Sequence, residues 1–183
     1  MVTRLLLLLT LALPASAAEV AGVKFDEQAR LDDAQLALTG AGVRKRLFFQ
    51  VYAIGLYVQD HSSDPIAQGG PKRVAIHMLR DVDAGTFTQA LVDGMRPNHD
   101  EATMKGLEPR IAQLSATMAQ MQEAKKGMAI QLDWLPASGT QMRVNGKPTG
   151  GPIAGEDFYQ ALLRIWLGPK PVQDDLKKAL LGG

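Results

Sequence analysis

Residues 40–60, GAGVRKRLFFQVYAIGLYVQD, decide the fold of this chain. From Leu47 to Val58 the residues are mostly aromatic or branched, and apolar side chains occupy both odd and even positions. Successive side chains of a strand point to opposite faces of a sheet, so this pattern predicts a central strand that is covered on both sides. Gly55, inside the run, indicates a bend, a bulge or the close approach of another segment.

Two glycines precede this strand and determine how it begins. Gly40 and Gly42 flank the small Ala41, which predicts a tight turn whose backbone closely approaches a neighbour. The turn brings Arg44, whose guanidinium is permanently charged, to the edge of the sheet. One interpretation of this arginine is a site residue, and the other is a surface or salt-bridged residue at a strand edge.

Outside this stretch the periodicity predicts further strands and four helices. The predicted strands are residues 20–25, 35–38, 72–79, 129–135 and 140–144, and another that starts at Lys147. The predicted helices are residues 86–95, a long helix between Asn98 and Gly127, residues 156–167 and residues 174–181. Strands first, helices between strands and helices last indicate the α+β class, because a parallel α/β sheet needs strict alternation. Segment 60–71 is polar and rich in Pro and Gly, which predicts an exposed loop, with a lid as the alternative.

Polar residues in and beside these elements predict which face of a strand is exposed and where a helix begins. The alternation in residues 72–79 predicts a strand with one wet face, which carries Arg73. Arg80 and Asp81 follow this strand, and such adjacent opposite charges predict an ion pair at the start of a helix, with membership of a site as the alternative. Asn98 is the predicted N-cap of the long helix.

The amino terminus predicts a secretory signal peptide. A basic start is followed by an apolar run that is too short to span a bilayer, by a proline, and by a small-x-small cleavage site. We therefore expect residues 1–17 to be a signal peptide that is cleaved after Ala17 or Ala18, and the mature protein to be periplasmic or secreted. An uncleaved membrane anchor is the alternative.

The composition predicts one domain, residues 20–183, with a substantial core, because 46% of the residues are hydrophobic. Arg4 is the one charged residue of the leader, so its removal leaves 19 basic and 19 acidic residues. This balance leaves no surplus of positive charge to favour nucleic acid or an anionic membrane surface, and we expect no transmembrane segment after the leader is removed. The absence of cysteine excludes disulfides and thiolate chemistry.

The sequence predicts no metal and no cofactor. The three histidines lie in unrelated contexts, and without cysteine they do not form the spacing of a zinc or iron site. Three of the methionines lie on the apolar stripe of the long helix: Met104, Met118 and Met121. Methionines on such a stripe favour core packing over copper binding.

Several motifs in a fixed order resemble those of a known family. A Gly-x-Gly-x-Arg segment leads into VYAIGLYV at residues 51–58, and the later motifs are KRVAIHMLRDV at 72–82, VNGK at 144–147 and LRIWLG at 163–168. In order and spacing this chain resembles chalcone isomerase-like proteins, and their bacterial secreted branch most of all, over nearly everything after about residue 20. The resemblance implies an antiparallel sheet backed by a layer of helices, an open-faced β-sandwich with a cleft between the layers.

The resemblance also implies candidate site residues. Chalcone isomerases close a ring by adding a phenolate oxygen across an α,β-unsaturated ketone, and an arginine steadies the anionic oxygen and the enolate. In this chain that arginine corresponds to Arg44. The family's threonine corresponds to Tyr52, its tyrosine to Phe87, its asparagine to Gly94, and its substrate-selecting serine or threonine to Ile165. Only Arg44 keeps its residue type.

These changes favour binding over catalysis. Each lost donor to a developing oxyanion costs on the order of 3 kcal/mol, so we expect no chalcone isomerase activity. An apolar cleft with an arginine at one end suits a small lipophilic carboxylate such as a fatty acid, held by Arg44, Tyr52, Phe87 and Ile165. Plant plastid members of the superfamily bind fatty acids through an arginine and a tyrosine, which fits this pair of residues.

Two alternatives remain open. One is an isomerase, an intramolecular lyase that acts on an unknown enone, with Arg44 steadying the enolate and Tyr52 donating a proton or positioning water. The other is a structural or protein-interaction module whose protein partners the sequence does not name.

Overall fold

The computed structural model describes residues 17–60 and 64–183. The strands are β1 (Ala18–Val20), β2 (Val23–Phe25), β3 (Gln28–Leu31), β4 (Ala34–Arg46), β5 (Phe49–Val58), β6 (Lys72–Met78), β7 (Val82–Asp83), β8 (Glu123–Ala124), β9 (Ala129–Leu135), β10 (Gly139–Val144) and β11 (Lys147–Ile153). The helices are α1 (Ala84–Met95), α2 (Glu101–Ala119), α3 (Glu156–Leu167) and α4 (Asp174–Leu180), with a 3-10 turn at Arg96–Asn98. Seven strands form one antiparallel sheet in the order β11-β10-β9-β6-β5-β4-β3. The predicted α+β class with an antiparallel sheet and a helix layer is confirmed.

From Tyr52 to Val58 the central strand is covered on both faces, as the sequence predicts, but the prediction is wrong for the start of the run, because Leu47, Phe48 and Phe49 are exposed. In β5 the side chains of Tyr52, Ile54 and Leu56 belong to the main core, which also contains the buried faces of the four helices. The intervening Ala53 and Tyr57 belong to a second, smaller core around Phe25 of β2. A Cβ atom added to Gly55 would lie 2.7 Å from Cδ1 of Phe25, so this glycine marks a close approach of the amino-terminal hairpin.

The wet face predicted for β6 is wrong. Arg73 and Ala75 are buried, and the ring of Phe25 meets His77 edge-on with 5.3 Å between the ring centroids. Arg73 is compatible with this burial because the fully buried Asp133 on the neighbouring β9 accepts two of its hydrogen bonds, at 2.6 and 2.8 Å. A buried ion pair needs this bidentate geometry to offset the loss of hydration.

The turn predicted at the double glycine is also wrong, since Gly40 and Gly42 lie inside β4. They share the face of β4 that points to the helices, and α4 packs directly on them. A Cβ atom at Gly40 would lie 2.1 Å from the carbonyl oxygen of Ala179, and one at Gly42 would lie 2.7 Å from Cδ1 of Leu176. The close approach of a neighbour that the two glycines also predict is confirmed, and the neighbour is helix α4.

The start of the long helix differs from the prediction by two residues. Asp100 is the N-cap of α2, and its side chain accepts a hydrogen bond from the backbone N–H of Thr103 at 2.7 Å. Asn98 instead joins two loops, since its side-chain amide accepts from the N–H of Lys170 and donates to the carbonyl of the same residue. Asn98 thereby fixes the segment between α3 and α4.

Two predictions fall on residues outside the described chain. The predicted signal peptide, residues 1–17, lies outside the described residues except for Ala17, so the leader, its cleavage and export stay predictions. Part of the predicted loop, residues 61–63, lies outside it as well, while the adjoining Pro65 is buried. Between residues 17 and 183, in the part that the structure describes, no helix has the length and apolar character needed to cross a bilayer.

Lys72, at the start of β6, is a fully buried and poorly paired cation. Its Nζ lies 3.6 Å from Oε1 of the half-exposed Glu156, which is too long for a good hydrogen bond, and Asp64 adds a weaker attraction. Burial lowers the pKa of Lys72 from its ordinary value of 10.5, against the attraction of Glu156. The buried charge of Lys72 therefore lowers the free energy of unfolding, and packing elsewhere in the protein offsets this cost.

Replacing Lys72 with methionine is expected to raise the free energy of unfolding by about 1–3 kcal/mol at neutral pH. The folded-state pKa lies below the unfolded-state value, so between the two the unfolded chain holds a proton that the folded chain has released, and the stability of the parent rises with pH. The gain from the substitution should therefore shrink as the pH approaches 10.5. Urea unfolding of parent and variant at several pH values measures it, with the exposed Lys147→Met as the control. A loss of stability in Lys72→Met at neutral pH would contradict the prediction.

Candidate functional site

A cavity of about 640 Å³ lies between the β4–β5 ends of the sheet, helices α1 and α3, and the segment that leads to α4. This volume is in the range of small-molecule sites. All four residues that the sequence assigns to a ligand site line it, namely Arg44, Tyr52, Phe87 and Ile165. Residues from four different elements are thus brought to one place.

Arg44 is positioned by β4 and by one glutamine from the far end of the chain. The side-chain oxygen of Gln173 lies 3.3 Å from Nη1 of Arg44 and accepts a hydrogen bond from the N–H of Lys45 at 2.8 Å, while its Nε2 donates to the carbonyl of Val43 at 3.1 Å. Arg44 also donates to the carbonyl of Lys45. Arg44 takes part in no ion pair within residues 17–60 and 64–183, so its charge is available to an anion.

Tyr52 lies opposite Arg44 in the register of β4 and β5. Its hydroxyl oxygen accepts a buried hydrogen bond from Nε1 of Trp166 at 2.9 Å. Burial raises the pKa of Tyr52 above its ordinary value, although the bond from Trp166 and the charge of Arg44 oppose the shift. The hydroxyl is therefore protonated at neutral pH, and because Trp166 occupies an acceptor position, the proton can be donated to a ligand.

The wall opposite these polar groups is apolar. Phe87 of α1 meets the ring of Tyr52 edge-on at 6.0 Å, and Ile165 of α3 is buried beside it. Gly94 allows α1 and α3 to approach, since a Cβ atom there would lie 2.8 Å from Cγ2 of Ile165. At the two positions where the resemblance leads one to expect a tyrosine and an asparagine, the chain thus offers no hydrogen-bonding side chain.

Arg80 and Asp81 lie at the mouth of the cavity, and the predicted ion pair between them is wrong. The guanidinium of Arg80 lies over the ring of Phe49, 4.6 Å from its centroid. Asp81 accepts a hydrogen bond from the N–H of Lys126 at 2.7 Å, and α1 is capped by Asp83. Both residues line the cavity, and the alternative interpretation, membership of a site, stays a prediction.

Sequence reasoning missed two residues of the site. Trp166 is visible in the sequence only as one more apolar residue of α3, and nothing in the pattern relates its indole to Tyr52. Gln173 stands in a short polar segment without periodicity, 129 positions after Arg44. No local signal could have identified either one, because both contacts join parts of the chain that are distant in sequence.

The cavity contains no arrangement suited to a metal ion. Within the described residues no three His, Cys, Asp or Glu side chains come together in a way that could hold one. His77 packs against Phe25 on the other face of the sheet, and His99 Nδ1 lies 2.8 Å from the carbonyl of Met95. Met104 and Met118 are buried in the main core, as their positions on the apolar stripe of α2 predict.

Comparison with known proteins identifies the fold and the family. The structure is similar to the crystal structure of a fatty-acid binding protein from Arabidopsis thaliana, with a TM-score of 0.66 and 13% sequence identity over 91% of this chain and 96% of that one. At this identity the likeness establishes the fold, which agrees with the predicted open-faced sandwich. No curated protein sequence matches the chain significantly. The sequence model of the family described as chalcone isomerase-like matches residues 17–182, and the chain therefore belongs to the chalcone isomerase-like family.

Proposed function

We propose that this protein binds a lipophilic carboxylate, such as a fatty acid, in the cavity between sheet and helices. The observation that carries the proposal is the pairing of Arg44 and Tyr52. The two residues are direct neighbours across β4 and β5, they line the same cavity, and both can donate hydrogen bonds. A carboxylate accepts several hydrogen bonds at once and matches the charge of the guanidinium. That the similar Arabidopsis protein is a fatty-acid binding protein supports the proposal.

The binding mode follows from the two sides of the cavity. The carboxylate accepts hydrogen bonds from Arg44 and from the hydroxyl of Tyr52, whose orientation is fixed by Trp166. The hydrocarbon tail lies along the apolar wall formed by Phe87, Leu91 and Ile165. Burial of each methylene contributes about 0.8 kcal/mol, so the tail supplies most of the affinity and the polar pair supplies the preference for an acid.

The proposal includes export and binding without turnover. The predicted leader supports export to the periplasm or beyond. The lack of hydroxyl and amide groups at Phe87 and Gly94 supports a role without catalysis, because two of the side-chain donors that the family places around the oxyanion are missing from the cavity wall.

Replacing Arg44 with methionine is expected to weaken the binding of palmitate by about 10- to 100-fold, which corresponds to the loss of charged hydrogen bonds. The methionine keeps the length and apolar character of the side chain, so the cavity retains its shape. Arg30→Met removes the same charge at an exposed position of β3 outside the cavity, and it should leave the affinity unchanged. Displacement of a fluorescent fatty acid measures the affinity, and native mass spectrometry of the purified parent should show a co-purifying acyl species.

Two results would contradict the proposal. One is a clean apo mass spectrum together with no thermal shift on addition of fatty acids. The other is equal affinity in the parent and in Arg44→Met. Loss of chalcone absorbance faster than the uncatalysed rate would instead favour the isomerase, and blank results in all of these assays would favour an interaction module.

A further inference from the structure

The hairpin of β4 and β5 ends in an apolar tip that projects into solvent. Leu47, Phe48 and Phe49 form this tip, with 86%, 99% and 57% of their surface exposed. Among the described residues, the only other large hydrophobic side chain that is exposed is Leu181, at 38%. Exposed apolar residues of this size in one place are typical of an interaction site. Folding does not explain them, because Phe48 contributes almost nothing to the core.

A basic collar surrounds the base of the apolar tip. The exposed Lys45 and Arg46 precede it on β4, and the guanidinium of Arg80 covers one face of Phe49. From residue 34 to residue 59 the chain has no Asp or Glu, although its net charge is only +1. The β4–β5 hairpin therefore carries only positive charge, on Arg44, Lys45 and Arg46, which a count over the whole sequence does not reveal.

Acidic residues near the collar have structural partners. Asp81 accepts a backbone hydrogen bond from Lys126, and Asp83 accepts one from Thr86 as the cap of α1. Asp93 accepts from the side chain of Gln89, and Asp175 lies close enough to Lys45 to attract it. These carboxylates reduce the field of the collar but do not lie on the hairpin that carries the apolar tip.

We infer that the apolar tip and its basic collar bind the surface of an anionic phospholipid membrane. Apolar side chains at a protruding point enter the boundary between headgroups and acyl chains, while Lys and Arg at their base meet the lipid phosphates. A convex tip of three residues is far smaller than the roughly 800 Å² that each partner contributes to a stable protein interface, and this favours a lipid surface over a protein.

The position of the apolar tip determines which side of the docked protein faces the membrane. Leu47 and Phe49 line the mouth of the cavity, as does Arg46 of the collar. A protein held on a bilayer by the tip presents the mouth to the lipid. A lipophilic molecule can then pass between membrane and cavity without crossing water. The docking itself does not depend on the proposed function, since it needs only the apolar tip and the collar.

Co-sedimentation with lipid vesicles tests the inference. The mature chain is expected to bind vesicles of equal parts phosphatidylglycerol and phosphatidylcholine, and to bind pure phosphatidylcholine vesicles at least tenfold more weakly. Phe48→Ser keeps the charge and removes the largest exposed ring, and it should reduce the partition coefficient about tenfold. Because Phe48 is almost fully exposed, the variant should unfold at the same urea concentration as the parent.

A matched pair of charge reversals distinguishes the effect of charge in the collar from the effect of the protein's net charge on vesicle binding. Lys45→Glu and Lys147→Glu change the net charge equally, and both lysines are exposed beside a hairpin turn. Only Lys45→Glu should weaken vesicle binding. Three results would overturn the inference: no vesicle binding by the parent, equal binding by the parent and Phe48→Ser, or equal losses in the two charge reversals. A parent that does not bind vesicles would favour a protein partner for the tip. Palmitate affinity without vesicles should be unchanged in Phe48→Ser, so failure of docking and failure of ligand binding are distinguishable.

Discussion

Replacing Asp133 with alanine is expected to lower the free energy of unfolding by about 3–5 kcal/mol. Asp133 is fully buried on β9 and joins three strands, because its two oxygens accept hydrogen bonds from Arg73 on β6 and from Arg143 on β10. Burial alone would lower the pKa of Arg73, but the hydrogen bonds that it donates to Asp133 and the charge of that carboxylate more than offset this and raise it. A guanidinium does not lose its proton in a protein, so Arg73 stays charged in the variant as well. Without the carboxylate, a buried guanidinium has no counter-ion.

Asp157→Ala is the matched control for this prediction. Asp157 also forms two hydrogen bonds with one arginine, Arg110, at 2.6 and 2.8 Å, but its side chain is 66% exposed. An exposed pair of the same geometry contributes at most about 1 kcal/mol, because water replaces the lost partner. Urea unfolding of both variants gives the comparison. Equal losses would contradict the prediction, because they would show that burial does not determine the strength of these pairs.

Replacing Gly40 with alanine should destabilise the protein by about 3 kcal/mol, at the upper end of the effects of overpacking. The added methyl group would lie 2.1 Å from the carbonyl oxygen of Ala179. A backbone atom cannot move aside like the end of a side chain, so α4 has to shift away from β4. Because Gln173 directly precedes α4 and holds Arg44, the shift should also reduce fatty-acid affinity under the proposed function.

Gly106→Ala provides the corresponding control. Gly106 lies in α2, and a Cβ atom there would have nothing within 4 Å. Alanine is favoured over glycine in a helix by roughly 0.5–1 kcal/mol, so this variant should be slightly more stable than the parent. Hydrogen exchange of the amides in α4 should increase in Gly40→Ala only. A Gly40→Ala protein with unchanged stability and unchanged exchange would contradict the packing described for α4.

The sequence predicts the elements of this fold better than their partners. The central strand could be recognised because a strand with apolar side chains on both faces has to be buried on both faces. Gly40 and Gly42 predict a close approach correctly and a turn wrongly. A glycine permits both, and the helix that makes the close approach is more than 130 positions away. The wet face of β6 failed for the same reason, since the residue that neutralises Arg73 stands 60 positions later.

The site shows the same division. Arg44, Tyr52, Phe87 and Ile165 could be placed through the order of family motifs, and the structure brings all four to one cavity. What orients them, the indole of Trp166 and the amide of Gln173, depends on tertiary contacts alone. The apolar tip could not be predicted because its three residues have the composition of a buried strand. Only the structure shows that the chain reverses at Leu47 and Phe48, before β5.

The hydrogen bond between Trp166 and Tyr52 also supplies an intrinsic spectroscopic reporter. The chain has two tryptophans, and the second, Trp134, stacks on Tyr159 at the opposite end of the strands, roughly 20 Å away by the rise per residue. Indole emission depends on the polarity and hydrogen bonding of the ring. A Trp134→Phe background would leave one tryptophan, Trp166, whose N–H is bonded to a residue of the cavity wall, so occupancy could be followed in real time by selective excitation of the indole and without attaching a dye.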